Sequence, residues 1–459
     1  MHARTLVLVF LLVNIVILAS VRLLPFIDLP NHLAEATIYK FYEPENLLSR
    51  YYQPTPWYFP NSFHTVFCSL FASVEVGNKV FHILCVILLP LSVFLVVKQL
   101  KGNAWYAALA MLFTYNYNVT FGFVGFAISI PILILLFYTI LLYIEREKFY
   151  LSIIIALLLV LLFFMHAQNA LMGIVIYGCM MLYHFRKSLT RFVSHLLLIP
   201  LPLIAMIVTW WFTRGAADKE ESTLAYLIDY YTSEYFTTLG WRIRIAVLDN
   251  FQLQEGWPGL IIALLFFICV LVPIIATQPW KRKDWKILYS SEFVYASIFV
   301  LIVWVCYLFA PDKLPGQTPI FQRFCTLAIL SLIILGAVYL KNVYLPWLRS
   351  FAIAAALLYT ALWAEYLYSF QRENKHFTPD FFAGMDPKEK LVGLIYATDY
   401  RGRNVYIHFP NYYIVWRNGI AASKIIDYRF GVVRRVAPEA ELPFYQEHIA
   451  ENYALQPGY

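Results

Sequence analysis

The residues of this sequence best suited to acid–base chemistry follow its first apolar run. Residues 26–35 (FIDLPNHLAE) carry carboxylates at Asp28 and Glu35 and an imidazole at His32. The i, i+4, i+7 spacing places all three on one face of a helix that begins at Asp28. Titratable groups collected at a membrane boundary mark a candidate functional site. A carboxylate there can remove a proton as a general base, so Asp28 is the candidate catalytic residue.

Two other interpretations of this segment stay open at the level of sequence. Asp28 precedes Pro30 and a helical run, so its side chain could simply cap that helix. His32 and Glu35, three residues apart, could hold a divalent metal ion, although two ligands without a clear third are a minimal signal. Both residues are also candidates for lining the active site.

A second candidate site lies late in the chain, around Arg323. This residue opens an apolar run after the segment 315–322 (PGQTPIFQ). Because a guanidinium at a membrane boundary needs an anionic partner, three partners come into question: the carboxylate of Asp312, a lipid headgroup, or a substrate phosphate. Arginine binds phosphate oxygens in a bidentate manner, and Lys313 adds a second positive charge. Arg323 and Lys313 are therefore the candidate phosphate-binding residues.

Three further polar residues are expected on the same side of the membrane. His166 ends an apolar run, Gln168 follows it, and Arg242 lies in a later polar loop. All three are candidates for lining an acceptor or active site. The alternative for His166 is a satisfied interfacial side chain at a helix end.

The elements that must position these residues are membrane helices. Of the 459 residues, 61% are hydrophobic and only 14% are charged, whereas a soluble domain carries about 25% charged residues. Apolar runs of about 20 residues recur along the chain, which predicts a polytopic α-helical membrane protein. The formal charge of +7 is spread over the loops, so it reports on topology and not on nucleic-acid binding.

Eleven membrane crossings are predicted from these runs. They lie at about 5–24, 79–98, 104–118, 121–143, 149–166, 168–184, 194–213, 258–276, 292–310, 320–340 and 347–369. The first lacks a cleavage site for a signal peptidase and is interpreted as an anchor. Residues 62–74 are too short for a crossing and are predicted to form a re-entrant or interfacial helix.

The distribution of Lys and Arg orients the chain. Alternate loops are rich in basic residues, whereas 116–121 and 166–169 contain none. By the positive-inside rule the N-terminus is cytoplasmic. The loops 25–78 and 214–257 and the region 370–459 are then extracytoplasmic.

Composition also predicts two domains. Residues 1–369 form the transmembrane domain, and 370–459 form a small extracytoplasmic α/β domain. Within the latter, strands are expected at 391–397 and 405–414, a turn at 417–419 and a helix near 439–452.

Two short motifs carry a resemblance to a known superfamily. The pattern DLPNHLA at 28–34 and the pattern from 310–313 (APDK) to Arg323-Phe324 resemble those of the GT-C membrane glycosyltransferases. The closer likeness is to bacterial RgtA/B/C/D-like proteins, and the more distant one is to protein O-mannosyltransferases and lipid A aminoarabinose transferases. The likeness covers roughly the membrane part of the chain.

This resemblance implies a fold and an activity. It implies transfer of a sugar from a polyprenyl-phosphate donor to an extracytoplasmic glycan, lipid or protein, with Asp28 as the base or acceptor-positioning group. Many such enzymes have two acidic residues close together in the first loop, whereas here the second is Glu35, seven positions on. It also implies a bacterial cytoplasmic membrane.

Two rival functions remain. A lipid-linked sugar transporter or flippase would use the same arginine and carboxylates. It would be expected to show internal repeats and interrupted helices at the midplane, and the sequence shows neither, although Pro90 and Pro131 could kink helices. A catalytically inactive GT-C-like scaffold in an envelope assembly is the other.

Overall fold

A computed structural model describes residues 2–213, 223–248, 250, 257–277, 285–314, 318–341, 346–421 and 432–436. The helix predicted near 439–452 lies outside the described residues, and the loop 214–257 is described only in part. Within the described ranges the chain is mostly helical, with a few short strands.

The helices follow one another with short connections along most of the chain. The first half contains α1 (Ala3–Ser20), α2 (Leu29–Phe41), α3 (Leu47–Tyr51), α4 (Phe63–Ser69), α5 (Val74–Gln99), α6 (Ala104–Ala107), α7 (Tyr117–Phe121), α8 (Val124–Arg146), α9 (Phe149–Met165), α10 (Ala167–His184), α11 (Leu189–Leu198) and α12 (Leu201–Thr213). The second half contains α13 (Thr223–Asp229), α14 (Leu239–Val247), α15 (Trp257–Thr277), α16 (Ser291–Phe309), α17 (Phe321–Tyr339), α18 (Pro346–Glu373) and α19 (Tyr412–Arg417).

The protein is a helical membrane protein. Among the described residues, six helices are long and apolar enough to cross a bilayer, namely α1, α5, α8, α16, α17 and α18. The pair α11 and α12 passes the same test as one span bent by 48°. Helix α9 and the apolar part of α15 are shorter apolar helices. Length and hydropathy of the helices therefore give six or seven spans, and not the eleven crossings predicted from the apolar runs.

The crossing predicted at 104–118 is the clearest departure from a regular helix. Its residues form only the four-residue helix α6, a 3₁₀ helix (Ala108–Phe113) and the start of α7. The segment lies along α17: the Asn103 amide donates to the Ala337 carbonyl (2.8 Å), and Asn118 Nδ2 donates to the Arg323 carbonyl (2.9 Å). Those carbonyls are 14 residues apart on a helix, about 21 Å along its axis.

Burial explains how this broken segment is tolerated. From Tyr106 to Thr120 every residue is buried. Irregular backbone at membrane depth occurs only where protein surrounds it, because lipid cannot satisfy its polar groups. The apolar run is visible in the sequence, whereas the break in the helix depends on the residues that pack around it.

Residues 62–74 do not form a membrane crossing. Helix α4 has seven residues, about 10 Å of helix, against a hydrocarbon core about 30 Å thick. Helix α5 starts at Val74, five residues before the predicted crossing at 79–98.

Contacts divide the chain into two units, and neither is a continuous stretch of sequence. Unit 1 comprises Met1–Asn14, Cys85–Asn118 and Phe126–Leu362. Unit 2 comprises Ile15–Leu84, Val119–Gly125 and Trp363–Tyr459. The first loop and the C-terminal region thus belong to the same unit, whereas composition predicts a boundary at 369.

The core of unit 2 shows why the first loop and the C-terminal region belong together. Strand β1 (Tyr52–Pro54) pairs antiparallel with β4 (Val433–Arg435), and β2 (Lys390–Leu391) pairs parallel with β3 (Ile420–Ala421). Apolar side chains from α2, α3 and α19 pack against these strands in one cluster, which includes Ile38, Leu48 and Ile414.

The strand predicted at 405–414 is wrong. Phe409–Asn411 forms a 3₁₀ helix and leads directly into α19. Pro410 has no amide proton for a strand ladder and fixes φ near the helical value, so it starts a helical turn. The strand predicted at 391–397 is reduced to its first residue, Leu391, in β2. The predicted turn at 417–419 is confirmed, because Asn418 ends α19 in the left-handed region (φ 51°).

Candidate functional site

Backbone contacts within unit 2 fix the position of Asp28. Its amide donates to the Phe121 carbonyl (3.0 Å), and the Ile27 amide donates to the Thr120 carbonyl (3.3 Å). Gly122 lies against the same backbone with φ +86°, and a Cβ there would be 2.8 Å from the Asp28 nitrogen. Only glycine adopts this conformation without strain and allows such an approach. The segment 119–123 is therefore a backbone cradle for Asp28.

The Asp28 side chain does not cap helix α2. Asp28 is the N-cap residue, with φ −84°, but its side chain accepts no capping hydrogen bond. Its Oδ1 instead lies 3.3 Å from Nε2 of His408, with 16% of the Asp28 side chain and 11% of the His408 side chain exposed. The structure thus disfavours the capping interpretation and leaves the carboxylate available to a reacting group.

His32 and Glu35 form a second carboxylate–imidazole pair on α2. Glu35 Oε2 lies 3.3 Å from His32 Nδ1, and the carboxylate is almost completely buried. The three residues predicted to share a helix face are thus divided between two pairs. Within the described part of the chain, no group of three or more His, Cys, Asp or Glu side chains is arranged to hold a metal ion.

A buried histidine lies behind His32. The His64 ring is 5.7 Å from the His32 ring, and its Nε2 is 3.1 Å from Asn78 Oδ1 and 3.4 Å from Cys68 Sγ. Burial, assisted by His32, lowers the pKa of His64, and burial raises the pKa of the Cys68 thiol. The thiol and the amide approach the same ring nitrogen, and the raised pKa keeps the thiol protonated, so the cluster lacks the activated thiolate that nucleophilic catalysis needs.

In unit 1, Arg323 meets His166 where two helices begin. Arg323 lies in the first turn of α17, and His166 is the N-cap residue of α10, without a side-chain cap. Arg323 Nη1 is 3.3 Å from His166 Nε2, and Nη2 is 3.5 Å from the Thr318 carbonyl. The positive ends of two helix dipoles and a guanidinium therefore come together, which favours an anion.

The contact assigns His166 a role beside the guanidinium. A guanidinium only donates hydrogen bonds, so Nε2 of His166 is the acceptor in this contact. His166 is 7% exposed and packs edge-on against Phe126, with ring centroids 4.8 Å apart. Gln168, half-buried, follows in the first turn of α10.

The other predicted residues of unit 1 have different surroundings. The Asp312 carboxylate accepts a hydrogen bond from Nε2 of Gln322, the residue that precedes Arg323. Lys313 is exposed. Lys313 thus offers a solvated cation ten residues before Arg323 in the sequence.

Arg242 is buried, with 1% exposure, and its donors are directed at protein oxygens. Nη1 donates to the Tyr307 carbonyl and Nη2 to the Ala310 carbonyl, each at 2.8 Å, and Nη2 also donates to the Tyr230 hydroxyl at 2.7 Å. The guanidinium also lies 3.8 Å from the Phe321 ring centroid. Because those carbonyls end α16, Arg242 satisfies a helix C-terminus, which gives it a structural role.

His408, Gly122 and the Asn118 contact with Arg323 are functional features that the sequence patterns do not predict. His408 is 380 residues from Asp28, and no spacing rule joins them. A glycine inside the apolar aromatic stretch 121–123 (FGF) was the one available signal, because an isolated glycine there indicates a close backbone approach.

Comparison with known proteins leaves the family open. No family model matches the chain, and no curated protein matches it. The function must therefore be argued from the two sites themselves.

Proposed function

We propose that this protein is an integral membrane glycosyltransferase that moves a sugar from a polyprenyl-phosphate donor to an extracytoplasmic glycan, lipid or protein. The observation that carries the proposal is the Asp28 carboxylate. It sits in a backbone cradle, makes no capping bond and is partly exposed beside an imidazole. A carboxylate held in this way is better suited to act as a general base than to cap a helix.

The proposed reaction assigns Asp28 the proton. The acceptor hydroxyl oxygen forms a bond to the anomeric carbon, and the bond from that carbon to the phosphate oxygen breaks. The phosphate leaves with the bonding electron pair, and Asp28 takes the hydroxyl proton. This single displacement inverts the anomeric centre and needs no metal ion to balance.

Arg323 is assigned to the donor phosphate. Its guanidinium, together with the N-terminal ends of α10 and α17, would stabilise the negative charge that develops as the polyprenyl phosphate leaves. Lys313 supplies a solvated charge nearby in sequence, and His166 supports the guanidinium. The lipid tail would lie among the membrane helices.

The proposal also covers the orientation of the chain in the membrane and the number of its crossings. It places the N-terminus in the cytoplasm of a bacterium and the region 370–459 outside its cytoplasmic membrane, together with the first loop, which belongs to the same unit. Helix length and hydropathy give seven spans among the described residues when α11 and α12 are counted as one bent span. The proposal adds the broken segment at 104–118, α9, α10 and α15 as four further crossings, which makes eleven. The hydrogen bonds from Asn103 and Asn118 to the two ends of α17 support the irregular crossing.

The test uses the purified chain in proteoliposomes. A panel of synthetic polyprenyl-phosphate hexoses and pentoses is supplied with an envelope extract as acceptor source, and released polyprenyl phosphate is measured by mass spectrometry. We expect release with at least one donor, and its loss in Asp28→Asn but not in Asp380→Asn, which changes an exposed carboxylate in the same unit. Equal release by wild type and Asp28→Asn rejects the base assignment.

The phosphate assignment has its own measurement. Arg323→Ala should weaken binding of polyprenyl phosphate, whereas Arg349→Ala, an exposed arginine, should not. Unchanged affinity in Arg323→Ala rejects this part of the proposal.

One observation favours a flippase as the second candidate. The broken segment at 104–118 and the 48° bend between α11 and α12 are interruptions of the kind that transporters use. A flippase would carry the intact sugar lipid across the bilayer of the same proteoliposomes. Translocation without release of polyprenyl phosphate would therefore replace the first proposal with this one.

A further inference from the structure

The C-terminal region contributes a side chain to the Asp28 site. Nε2 of His408 lies 3.3 Å from Oδ1 of Asp28, and both side chains are largely buried. At this separation the two groups form an ion-pair contact, in which an N–H at Nε2 would face the carboxylate oxygen. The contact involves one carboxylate oxygen and leaves the other for a reacting hydroxyl.

A second contact aligns the turn at 408–411 with the start of α2. Asn411 Nδ2 donates to Asn31 Oδ1, and both amides are buried. Asn31 lies three residues after Asp28, and Asn411 lies three residues after His408. The start of α2 and the turn at 408–411 are therefore joined at two points, one helical turn apart.

Aromatic packing holds the turn from its other side. The Phe409 ring lies 4.9 Å from Tyr406, 5.2 Å from Phe377 and 5.4 Å from Tyr412, centroid to centroid. The Asn411 amide donates to the His408 carbonyl (3.1 Å). His408 thus sits on a rigid turn and not on a loose tail.

We propose that His408 is a positioning residue that holds the Asp28 carboxylate in the orientation a general base needs. The inference rests on the proposed transfer reaction. It makes the C-terminal region part of the active centre. A donor at Oδ1 fixes the carboxylate rotamer and aims its second oxygen at the acceptor hydroxyl. Because His408 acts through Asp28, its effect must vanish when Asp28 is changed.

The test compares two substitutions of similar shape. His408→Gln keeps a side-chain N–H donor, and His408→Met removes it. Polyprenyl phosphate release is measured in proteoliposomes at saturating and limiting donor, alone and combined with Asp28→Asn. His376→Met, at an exposed histidine of the same region, is the control, and thermal unfolding midpoints check that each variant folds.

The expected result is a loss of about ten- to hundredfold in kcat for His408→Met, the fold-change of a hydrogen bond to a charged group. The donor KM should stay constant, and His408→Gln should recover most of the rate. In the Asp28→Asn background, His408→Met should have no further effect.

Three outcomes count against the inference. If His408→Met keeps the wild-type rate while Asp28→Asn loses it, the positioning role is rejected and the transferase proposal stands. If His408→Met slows the reaction equally with and without Asp28, or if Gln is as slow as Met, the role is structural only. If wild type and Asp28→Asn release the same background amount, the transfer function itself fails and takes the inference with it.

Discussion

Replacing Gly122 by alanine should displace Asp28 more directly than any change to the Asp28 side chain. A Cβ at position 122 would lie 2.8 Å from the Asp28 nitrogen, 2.9 Å from the Leu29 nitrogen and 3.2 Å from the Asp28 carbonyl carbon. All three are backbone atoms, which cannot rotate away as a side chain could. The substitution must push the 119–123 segment and the start of α2 apart.

The cost has two parts. A residue with a Cβ at φ +86° pays about 1–2 kcal/mol for left-handed backbone. Forcing an extra carbon into packed surroundings costs about 1–3 kcal/mol more. The free energy of unfolding should therefore fall by about 2–5 kcal/mol, and the hydrogen bond from Asp28 to Phe121 should lengthen or break.

The assay is equilibrium unfolding of the purified protein in mixed micelles, with sugar transfer measured on the same samples. Gly384→Ala is the matched control, because a Cβ there meets nothing within 4 Å. Gly122→Asn separates the backbone cost from the packing cost. Asparagine tolerates positive φ but brings the same Cβ, so it should recover only the stability that alanine loses through its left-handed backbone. A Gly122→Ala protein as stable and as active as Gly384→Ala would show that the segment 119–123 does not fix the position of Asp28.

Three further changes test other parts of the structure. Asn118→Ala removes the donor to the Arg323 carbonyl. It should lower the free energy of unfolding by about 1–2 kcal/mol and weaken binding of polyprenyl phosphate. Unaltered binding would show that the broken segment at 104–118 does not support the Arg323 site. Arg242→Lys cannot reproduce the fork that holds the end of α16 and should cost about 2–4 kcal/mol in the same unfolding assay, whereas a loss below 1 kcal/mol would contradict that role. Burial lowers the pKa of His64, which lies outside the membrane spans, so the unfolded chain binds the proton more readily than the folded one. The free energy of unfolding should therefore be highest above about pH 6.5 and fall below that pH by up to about 1.4 kcal/mol per pH unit. His64→Phe should reduce that slope and His376→Phe should not; equal slopes would argue against a buried neutral His64.

Local pattern was sufficient for the parts of the fold that depend on one stretch of chain. The apolar runs identify α1, α5, α8, α16, α17 and α18 as membrane helices, because hydropathy over about 20 residues is itself the physical requirement. The helix after Asp28, and the shared face of His32 and Glu35 on it, follow from spacing along one helix. The left-handed Asn418 at the predicted turn follows from local turn chemistry in the same way.

Features that depend on distant segments were not predictable. The break at 104–118 is possible only because other helices bury it, and no local signal in an apolar run reports such burial. The predicted strand at 405–414 has alternating apolar residues, but Pro410 and the packing of Phe409 and Tyr412 against Phe377 favour a helical turn. The pairing of Asp28 with His408 joins residues that no motif connects.

The central claim is that Asp28 removes the acceptor proton. The most direct measurement is the single-turnover rate of sugar transfer in proteoliposomes, with the active donor bound in advance, for wild type, Asp28→Asn and Asp380→Asn. We predict that Asp28→Asn retains donor binding and the wild-type unfolding midpoint while its rate falls about 100-fold or more, and that Asp380→Asn matches wild type. An Asp28→Asn protein that folds, binds donor and transfers the sugar at the wild-type rate would contradict the claim.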